Sequence, residues 1–397
     1  ALLSLPAGAS AAEVKRFFGA LPQPVRGTAD STLPFRGGWL LVLGYELGGL
    51  FEPTAGVADD SLNFPLAWAR RIPAAILIDR GRGKTWLMAE SGYEPLLDRM
   101  AQDLRESTRS LGTGLPPHQL SEDPPGRFLD GVMRIKSYIR EGDVFQVNLS
   151  RGWRADFAGA LVPSELFRRL RADNPAPFSA IVEMGEWAIV SSSPERLVRV
   201  ENDGRVVTRP IAGTHPRGPT MEEDEALKAR LASHPKERAE HIMLVDLERN
   251  DLGRVCEPGS VRVEALMELE SYAHVHHLES TVGGRLKPGI GLYDLLKAVF
   301  PGGTITGCPK VRTMQIIGEL EQTPRRAYTG SLGYVNLDGT LDMNILIRSF
   351  LLKGDTAWFR TGAGIVADSD PERELNETRA KAKGLLKAIE ARRGEAP

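Results

Sequence analysis

The chain has 397 residues, of which 42% are hydrophobic and 26% charged, and its formal net charge is −2. Proteins that bind nucleic acids normally carry a basic excess, so this charge argues against a nucleic-acid partner. No apolar run approaches the ~20 residues of a membrane-spanning helix, which argues against a membrane protein. The two cysteines, Cys256 and Cys308, are too few for a disulfide framework, and we expect a cytoplasmic protein.

The N-terminal third of the chain is predicted to consist mainly of strands. Apolar runs separated by glycine and proline occupy residues 37–52, 64–80 and 83–90. Residues 92–110 have the leucine spacing of an amphipathic helix. The following segment, 111–127, contains four prolines and three glycines with little apolar content, which predicts a linker-like loop.

Beyond residue 127, helices come singly or in pairs between groups of strands. Helices are predicted at 128–143, 162–177, 219–255, 291–300 and 310–321, a hairpin at 178–200, and further strands at 261–286 and 327–370. The last helix should begin near Pro371, with Asp370 as its N-cap. The pattern lacks strict strand–helix alternation, which favours an α/β (α+β) protein with two sheets flanked by helices over a doubly wound parallel sheet.

Two pairs of glutamates, Glu237/Glu240 and Glu374/Glu377, lie in predicted helices that are far apart in the sequence. The i,i+3 spacing places both carboxylates of a pair on one helix face. If the fold joins the two faces, the four like charges need a divalent cation, and oxygen-only ligation points to Mg2+ rather than zinc. The alternative is that both pairs are solvated surface groups.

Several loops, at 209–218, 300–312, 347–349 and 361–369, contain more glycine, threonine and arginine than a turn requires. Their backbone N–H groups could bind a small anion, and Arg348 could bind a carboxylate in bidentate fashion. No phosphate-binding fingerprint is present, so ordinary turn chemistry remains the alternative for each loop.

Three histidines lie in the predicted strand at 274–278. Side-chain alternation places His274 and His276 on one face and His277 on the other. A strand histidine is usually structural, whereas one beside a carboxylate cluster would carry protons.

A series of segments along the chain resembles, in the same order, segments of the chorismate-utilising enzymes. This family includes anthranilate, aminodeoxychorismate, isochorismate and salicylate synthases. The matching segments are EGDVFQVNLS, SPERL, RPIAGT, RAEHIMLVDLERNDLGRV, HHLESTV, FPGGTITGCPKVR, GSLGYVNLDG, IRSF and GAGIVADSDPERELNETRAKA. The resemblance is strong over 128–390 and weak before that, where GYELG carries it. It implies a single large domain over 1–397, in which 1–110 supplies the N-terminal part of two roughly orthogonal antiparallel sheets and 128–390 the catalytic part.

The resemblance also implies a Mg2+ site and a proton donor. Glu240 and Glu377 match the family's metal ligands, and Glu237 and Glu374 match supporting carboxylates that act through water. Glu195 of SPERL matches the general acid that protonates the 4-hydroxyl of chorismate as it leaves.

The remaining implied contacts bind the substrate. His277 matches the histidine near the leaving hydroxyl, and Thr214 and Lys381 match residues near a substrate carboxylate. Arg348 and Tyr334 resemble the groups that bind the enolpyruvyl carboxylate, with help from the backbone amides of Gly362, Ala363 and Gly364.

Position 212 bears on the nucleophile and the product. In the family that this chain resembles, isochorismate and salicylate synthases and typical aminodeoxychorismate synthases carry a lysine there (PIKGT), which can activate water or attack ring carbon 2. Ala212 instead follows the anthranilate-synthase pattern. Ammonia is therefore the expected nucleophile. The segments around GYELG and NPAPFSA, the shorter length and the lack of an LLES-like segment resemble aminodeoxychorismate synthase, which is the favoured prediction.

Anthranilate synthase remains the first alternative, and a catalytically silent chorismate- or tryptophan-binding regulatory protein the second. Neither Cys256 nor Cys308 has the setting of a glutamine-hydrolysing nucleophile. A separate glutamine amidotransferase subunit is therefore the expected source of ammonia.

Overall fold

The computed structural model describes residues 1–24, 33–106, 114–271 and 275–390, and only the backbone of residues 214–216, 235–236 and 275. The strands are β1 Leu2–Leu5, β2 Gly38–Leu43, β3 Ala67–Ile72, β4 Ala74–Asp79, β5 Lys84–Ala89, β6 His118–Glu122, β7 Gln146–Phe157, β8 Phe178–Met184, β9 Trp187–Ser193, β10 Arg196–Val200, β11 Arg205–Arg209, β12 Ile211–Pro216, β13 Arg262–Ser271, β14 Val275–Arg285, β15 Gly307–Cys308, β16 Ser331–Asn336, β17 Leu341–Asn344, β18 Ser349–Lys353 and β19 Thr356–Ile365. The helices are α1 Ala11–Gly19, α2 Gly48–Phe51, α3 Pro95–Glu106, α4 Pro125–Arg140, α5 Pro163–Asp173, α6 Met221–Ser233, α7 Pro235–Val255, α8 Leu292–Val299, α9 Lys310–Glu321 and α10 Pro371–Ile389.

The strands of the described residues form two large sheets and one separate hairpin. The 10-stranded sheet has the order β1-β3-β2-β16-β17-β10-β11-β14-β12, with β13 also paired to β14. The 7-stranded sheet has the order β15-β7-β19-β18-β9-β8, with β6 also paired to β7, and β4 and β5 form the hairpin. Neighbouring strands run antiparallel in both sheets, for example β16 with β2 and β19 with β7. The predicted fold class, two antiparallel sheets flanked by helices, is confirmed.

The hydrophobic core is divided into layers on and between the two sheets. Val42 and Leu332 of the first sheet belong to the same buried cluster as Ile189 and Leu351 of the second, so the sheets pack on each other there. Helices cover the other faces: α8 packs on the first sheet, and α5 and α10 pack on the second. Each sheet is therefore covered on both sides, which explains why strands such as β9 are buried along their whole length.

The segment predicted as a linker-like loop is more ordered than expected. Within 111–127, residues 118–122 form β6, which pairs with β7, and α4 begins at Pro125; residues 111–113 lie outside the described part. The polar, proline-rich composition predicted a loop because β6 is an exposed edge strand. Backbone pairing at a sheet edge tolerates polar residues and nearby prolines. The predicted helix at 219–255 is likewise two helices, since Pro235 starts a new one with His234 as its N-cap.

In the portion of the chain that the structure covers, every helix is too short or too polar to cross a lipid bilayer.

Candidate active site

Glu195 lies in the turn that joins β9 of the second sheet to β10 of the first. Its side chain is buried, with 4% of the residue exposed, and its Oε1 accepts a hydrogen bond from the backbone N–H of Ile211 at 3.4 Å. Burial raises the pKa of Glu195 to about 8, and the nearby carboxylates of Glu248 and Glu279 add to the rise, while the Thr304 hydroxyl opposes it. At neutral pH this group is a carboxylic acid that can donate a proton.

His277 approaches from the neighbouring strand pair. β12 pairs with β14 so that Thr214 lies opposite His277 and Ala212 opposite Leu278. Burial lowers the pKa of His277 to about 4, with the positive charges of Arg348 and Lys381 acting in the same direction and a hydrogen bond to the Gly213 backbone acting against it. His277 is therefore neutral at physiological pH and can accept a proton.

The register of β12 slips between Ala212 and Thr214, where Gly213 has a φ of +75°. A Cβ atom at Gly213 would lie 3.0 Å from Oε2 of Glu237. Glycine is thus required both for the left-handed backbone and for the close approach of β12 to α7. Ala212, the residue before Gly213, is itself buried.

The two other histidines of the predicted strand differ in their placement. His276 Nε2 lies 2.8 Å from Oδ1 of Asp224 in α6, and its Nδ1 lies 2.8 Å from Oγ of Ser271, so His276 is part of a structural network away from His277. The predicted alternation of these two side chains is consistent with their separate contacts. His274 lies outside the described residues, as does the side chain of Thr214.

The two glutamate pairs do approach each other. The pKa of Glu240 is raised to about 7, first by burial, then by the carboxylate of Glu237 and to a smaller extent by that of Glu377, while Gln146 and Lys381 oppose the rise. Nε2 of Gln146 donates to Oε1 of Glu240 at 2.6 Å. Glu377, which is 44% exposed, pairs with Lys381 at 2.7 Å, and Glu374 is buried one turn earlier in α10. The charges of Glu237 and Glu377 thus both act on Glu240, while the convergence of all four carboxylates on one point stays a prediction.

Glycines of β19 form one wall of the same space. A Cβ atom at Gly362 would lie 2.5 Å from Oδ1 of Asn148 and 2.9 Å from the hydroxyl of Tyr328, and one at Gly364 would lie 2.3 Å from Nε2 of Gln146. The Lys381 ammonium donates to the carbonyl of Gly362 at 3.0 Å. Ala363, between the two glycines, is buried in the hydrophobic cluster beneath. The small residues of β19 therefore leave room for polar side chains from β7 and from the segment before β16.

Arg348 is close enough to His277, Tyr328 and Glu377 for their charges to interact. Its charge lowers the pKa of His277, and burial lowers the pKa of Arg348 itself against the opposing effects of Tyr328 and Glu377. Its backbone has a φ of +53°, an uncommon conformation for a residue other than glycine, and its carbonyl accepts a hydrogen bond from Ser192 N at 3.1 Å. Such strained positions are concentrated at binding sites, which agrees with the predicted role in carboxylate binding.

Tyr334 does not join this group. Its ring packs edge-on against Phe35 at 5.5 Å between centroids, and it lines a separate cavity of about 410 Å3 together with Arg36 and Arg199. The tyrosine that faces the site is Tyr328: its hydroxyl lies beside Gly362, and the charge of Arg348 opposes the burial that raises the pKa of this hydroxyl. The expectation for Tyr334 is thus corrected in favour of Tyr328, because only the segment preceding β16 reaches the wall formed by β19.

Gln146, Asn148 and Thr304 are further site residues that sequence analysis did not single out. Within the described part of the chain, the Oε1 atom of Gln146 and the Oδ1 atom of Asn148 are buried without a hydrogen-bond partner. Buried oxygens are nearly always satisfied, so these two indicate room for a polar ligand or water. Polar residues at alternate positions of a buried strand, as in QVNLS, are the sequence signal that could have identified the first two.

Comparisons with known proteins identify the family to which the chain belongs. The sequence profile of the family described as chorismate binding enzyme matches residues 9–387. The chain is 42% identical over 378 residues to anthranilate synthase component 1 of Aquifex aeolicus, covering 91% of this chain and 76% of that protein. It is 40% identical over 368 residues to aminodeoxychorismate synthase component 1 of Bacillus subtilis, covering 90% of this chain and 77% of that protein.

A solved structure is also similar over most of its length. The crystal structure of anthranilate synthase component I from Streptococcus pneumoniae superposes with a TM-score of 0.83 at 35% identity, covering 93% of this chain and 84% of that one. The matching blocks, the fold and the sequence similarity lead to the same assignment. The chain belongs to the chorismate-binding enzyme family and is a chorismate-utilising enzyme of the component I type.

Proposed function

We propose that this protein is the chorismate-binding subunit of an aminodeoxychorismate synthase, which aminates chorismate to 4-amino-4-deoxychorismate with ammonia from a glutamine amidotransferase subunit. The observation that carries the proposal is the pairing of a buried acid with a buried base. Glu195, with a pKa raised to about 8, accepts a hydrogen bond from Ile211 of β12, and His277, with a pKa lowered to about 4, lies on β14, the strand that pairs with β12.

In the first half of the proposed reaction, Glu195 donates its proton to the 4-hydroxyl group, which leaves as water. Ammonia forms the new bond at ring carbon 2, and neutral His277 accepts the proton released by the attacking nitrogen. Arg348 and Tyr328 orient the enolpyruvyl carboxylate, and Lys381 adds positive charge for a dianionic substrate. The product of this half is noncovalent 2-amino-2-deoxyisochorismate.

In the second half, ammonia forms a bond at carbon 4 and the amine at carbon 2 leaves as ammonia. His277 returns its proton to the leaving amine, and Glu195 takes the proton from the incoming one, so both groups regain their starting states. Ala212 supports a noncovalent route, because a buried methyl group can neither attack carbon 2 nor activate water. Intact-mass spectra during turnover should accordingly show no substrate adduct, and supplied 2-amino-2-deoxyisochorismate should be converted.

The acidic cluster fits the Mg2+ ion that the resemblance implies. Among the described residues, no group of three or more aspartate, glutamate, histidine or cysteine side chains already has the positions that would hold a metal ion. Mg2+ is commonly held by one or two carboxylates with water and substrate oxygens, and Glu240 and Glu377 can supply that number. Bound there, Mg2+ would neutralise the ring carboxylate of chorismate and stabilise the charge that develops as the 4-hydroxyl leaves.

Anthranilate synthase is the second candidate, and Ala212 is the residue that favours it together with the name of the A. aeolicus relative. It would share the first half of the reaction and then eliminate pyruvate. The segment NPAPFSA favours aminodeoxychorismate. Chain length and the lack of an LLES-like segment do not discriminate, since the chain spans only about three quarters of the length of the two relatives compared above.

Product identification separates these candidates. The purified chain is incubated with chorismate, Mg2+ and ammonium, and the products are separated and identified by mass, with and without aminodeoxychorismate lyase. We expect 4-amino-4-deoxychorismate, converted by the lyase to p-aminobenzoate. Anthranilate as the product, unaffected by the lyase, would establish the second candidate, and binding of chorismate without turnover would support the regulatory alternative.

A further inference from the structure

Arg325 is absent from the residues assigned to the reaction, yet its guanidinium is almost completely buried, with 1% of the side chain exposed. It forms an i,i+4 ion pair with Glu321 at the end of α9, with Nη2–Oε1 at 2.6 Å and Nε–Oε2 at 3.0 Å. Burial opposes both charges, but each group faces the charge of the other, so the pKa of Glu321 is lowered and that of Arg325 is raised. The pair is therefore a fixed, ionised fork inside the protein.

The remaining donors of Arg325 reach separate walls of the active site. Nη2 donates to the carbonyl of Asn148 in β7 at 2.8 Å, and Nη1 donates to the carbonyl of Ile305, next to Thr304, at 2.9 Å. The guanidinium also lies over the ring of Tyr328, 5.5 Å from its centroid. One planar group thus holds the backbone of two site segments and the ring of a third.

Glu321 extends the same network to the β7–β19 wall. Its Oε1 accepts from both the backbone N–H and the hydroxyl of Ser150, each at 2.8 Å, and its Oε2 accepts from Arg360 Nη2 at 3.0 Å. Ser150 is paired with Gly362 across the strands. The position of β19 relative to the segment before β16 therefore depends on this ion pair.

The GYELG motif, which the proposed reaction does not use, packs on the other side of Arg325. The ring of Tyr45 lies 4.9 Å from the guanidinium, and Oε1 of Glu46 accepts the backbone N–H of Arg325 at 2.7 Å. The N–H of Tyr45 donates to the carbonyl of Arg326 at 2.8 Å. Tyr45 and Glu46 of GYELG thus hold Arg325 on the side that faces away from the active site. This contact gives the N-terminal motif an indirect role in the geometry of the active site.

We propose that Arg325 is a positioning residue of the active site, whose forked hydrogen bonds to Asn148 and Ile305 and stacking on Tyr328 set the geometry of three substrate-facing segments. The proposal rests on the proposed function only for its kinetic readout. Lysine would keep the charge but lose the planar fork, so it cannot hold both carbonyls and the carboxylate in the same arrangement. A purely structural ion pair would instead affect stability without affecting the reacting geometry.

The test compares Arg325→Lys with a matched control elsewhere in the fold. Arg169 in α5 is also buried and also forms an i,i+4 pair, with Glu165 at 3.3 Å, and its Nη1 donates to the carbonyl of Glu390 at 3.0 Å. Arg169→Lys therefore also replaces a buried, forked guanidinium by an ammonium group, but it does so next to the hydrophobic core of the second sheet. Kinetics with ammonium and chorismate are measured at a temperature at which both variants are fully folded by circular dichroism.

For Arg325→Lys we expect kcat/KM to fall about 100-fold, with most of the loss in kcat, because small displacements of reacting groups have large effects on rate. Arg169→Lys should keep both kinetic constants close to the wild type while lowering the Tm. Independently of activity, backbone hydrogen exchange without substrate should accelerate in peptides covering 146–150, 303–306 and 325–331 only in Arg325→Lys.

Unchanged kinetics and exchange in Arg325→Lys, or equal kinetic losses in Arg169→Lys, would overturn the proposal. If Arg325→Lys does not fold, Tyr45→Leu removes the ring behind the guanidinium while leaving its hydrogen bonds, and it should show the same exchange pattern with a smaller loss of kcat. A wild-type protein without turnover would refute the proposed function alone, since the exchange pattern still tests Arg325.

Discussion

Glu195 and His277 are two buried groups whose pKa values move in opposite directions for the same reason. Burial disfavours the charged form of each, so the pKa of the carboxyl group rises to about 8 and that of the imidazole falls to about 4. Between these values the acid is protonated and the base is neutral. This is the combination that general acid–base catalysis requires at neutral pH.

The pH dependence of turnover should follow from these shifts. We expect kcat to fall as the pH rises through about 8, because Glu195 then loses the proton that the leaving hydroxyl needs. The measurement is a pH–rate profile with ammonia held at a constant unprotonated concentration. A rate that continues to rise from pH 7 to pH 9.5 would contradict the assignment of Glu195 as the acid.

The raised pKa of Glu195 also makes the free energy of unfolding depend on pH. Because the folded-state pKa of Glu195 is raised, its contribution is most favourable below its usual pKa of 4.5 and is lost as the pH rises to about 8. Glu195→Gln should therefore gain stability relative to the wild type between pH 5 and pH 8.5, by a few kcal/mol at most, since one pKa unit is about 1.4 kcal/mol. Urea unfolding at the two pH values measures the difference.

The carboxylates of α7 and α10 can be tested by neutral replacements. Glu240→Gln and Glu377→Gln should each lower turnover about 100-fold or more, because a ligand charge of the proposed Mg2+ site is removed. Glu372→Gln on the exposed face of α10 is the control and should retain activity. Full activity of either site variant, or of the wild type in EDTA, would refute the metal assignment.

A matched pair of tyrosines tests the correction made by the structure. Tyr328→Phe removes a hydroxyl that lies beside Gly362, so we expect weaker chorismate binding and a higher KM. Tyr334→Phe alters a separate cavity and should have a much smaller effect on KM. The opposite order of effects would restore Tyr334 as the substrate-binding tyrosine.

At the scale of elements, the site depends on how closely β19 passes β7 and α7. This closeness is possible because Gly362 and Gly364 present no side chain toward Asn148, Gln146 and Glu240. The close packing of β19 against β7 and α7 therefore restricts positions 362 and 364 to residues without a large side chain, whether or not these residues take part in catalysis.

Gly364→Ala should accordingly impair function more than folding. The new Cβ atom would lie 2.3 Å from the flexible end of Gln146, which can move aside but would then lose its hydrogen bond to Glu240. We expect a large loss of kcat/KM with a small change in Tm. Gly126→Ala, at a position with no heavy atom nearby, is the control. Equal activity of the two variants would contradict this account of β19.

At the scale of the whole molecule, the chain contains no suitable nucleophile for glutamine hydrolysis in its described residues. Burial raises the pKa of Cys256 to about 11 and also raises that of Cys308, so neither is a thiolate at neutral pH. Under the proposed function, the hydrolysis of glutamine would then take place outside these residues, on the amidotransferase subunit that the proposal includes.

The corresponding prediction concerns the nitrogen source. The purified chain alone should use ammonium and not glutamine, and adding a glutamine amidotransferase subunit should confer glutamine-dependent activity. Both activities are measured as product formed from chorismate. Glutamine-dependent turnover by the chain alone would refute the need for a partner.

Local sequence patterns predicted most of the elements. Apolar runs broken by glycine and proline placed β2, β3 and β5, and Asp370 caps α10 as expected, accepting from Arg373 N at 2.9 Å. The helix α1 was not predicted although Ser10 and Glu13 form a capping box, because a helix of nine residues shows only a short apolar pattern. β6 was missed because edge strands carry little hydrophobic alternation.

The sequence by itself determined the fold class, the family and the residue types of the chemistry, because these depend on local spacing and on ordered motifs. Only the tertiary structure decided which of them meet. Tyr328 and Tyr334 lie six positions apart, and the sequence analysis selected Tyr334, whereas in the structure Tyr328 lies beside Gly362 and Tyr334 packs against Phe35. Likewise, the pKa values of Glu195 and His277 and the position of Arg325 arise from burial by segments that are distant in the sequence, which no local pattern encodes.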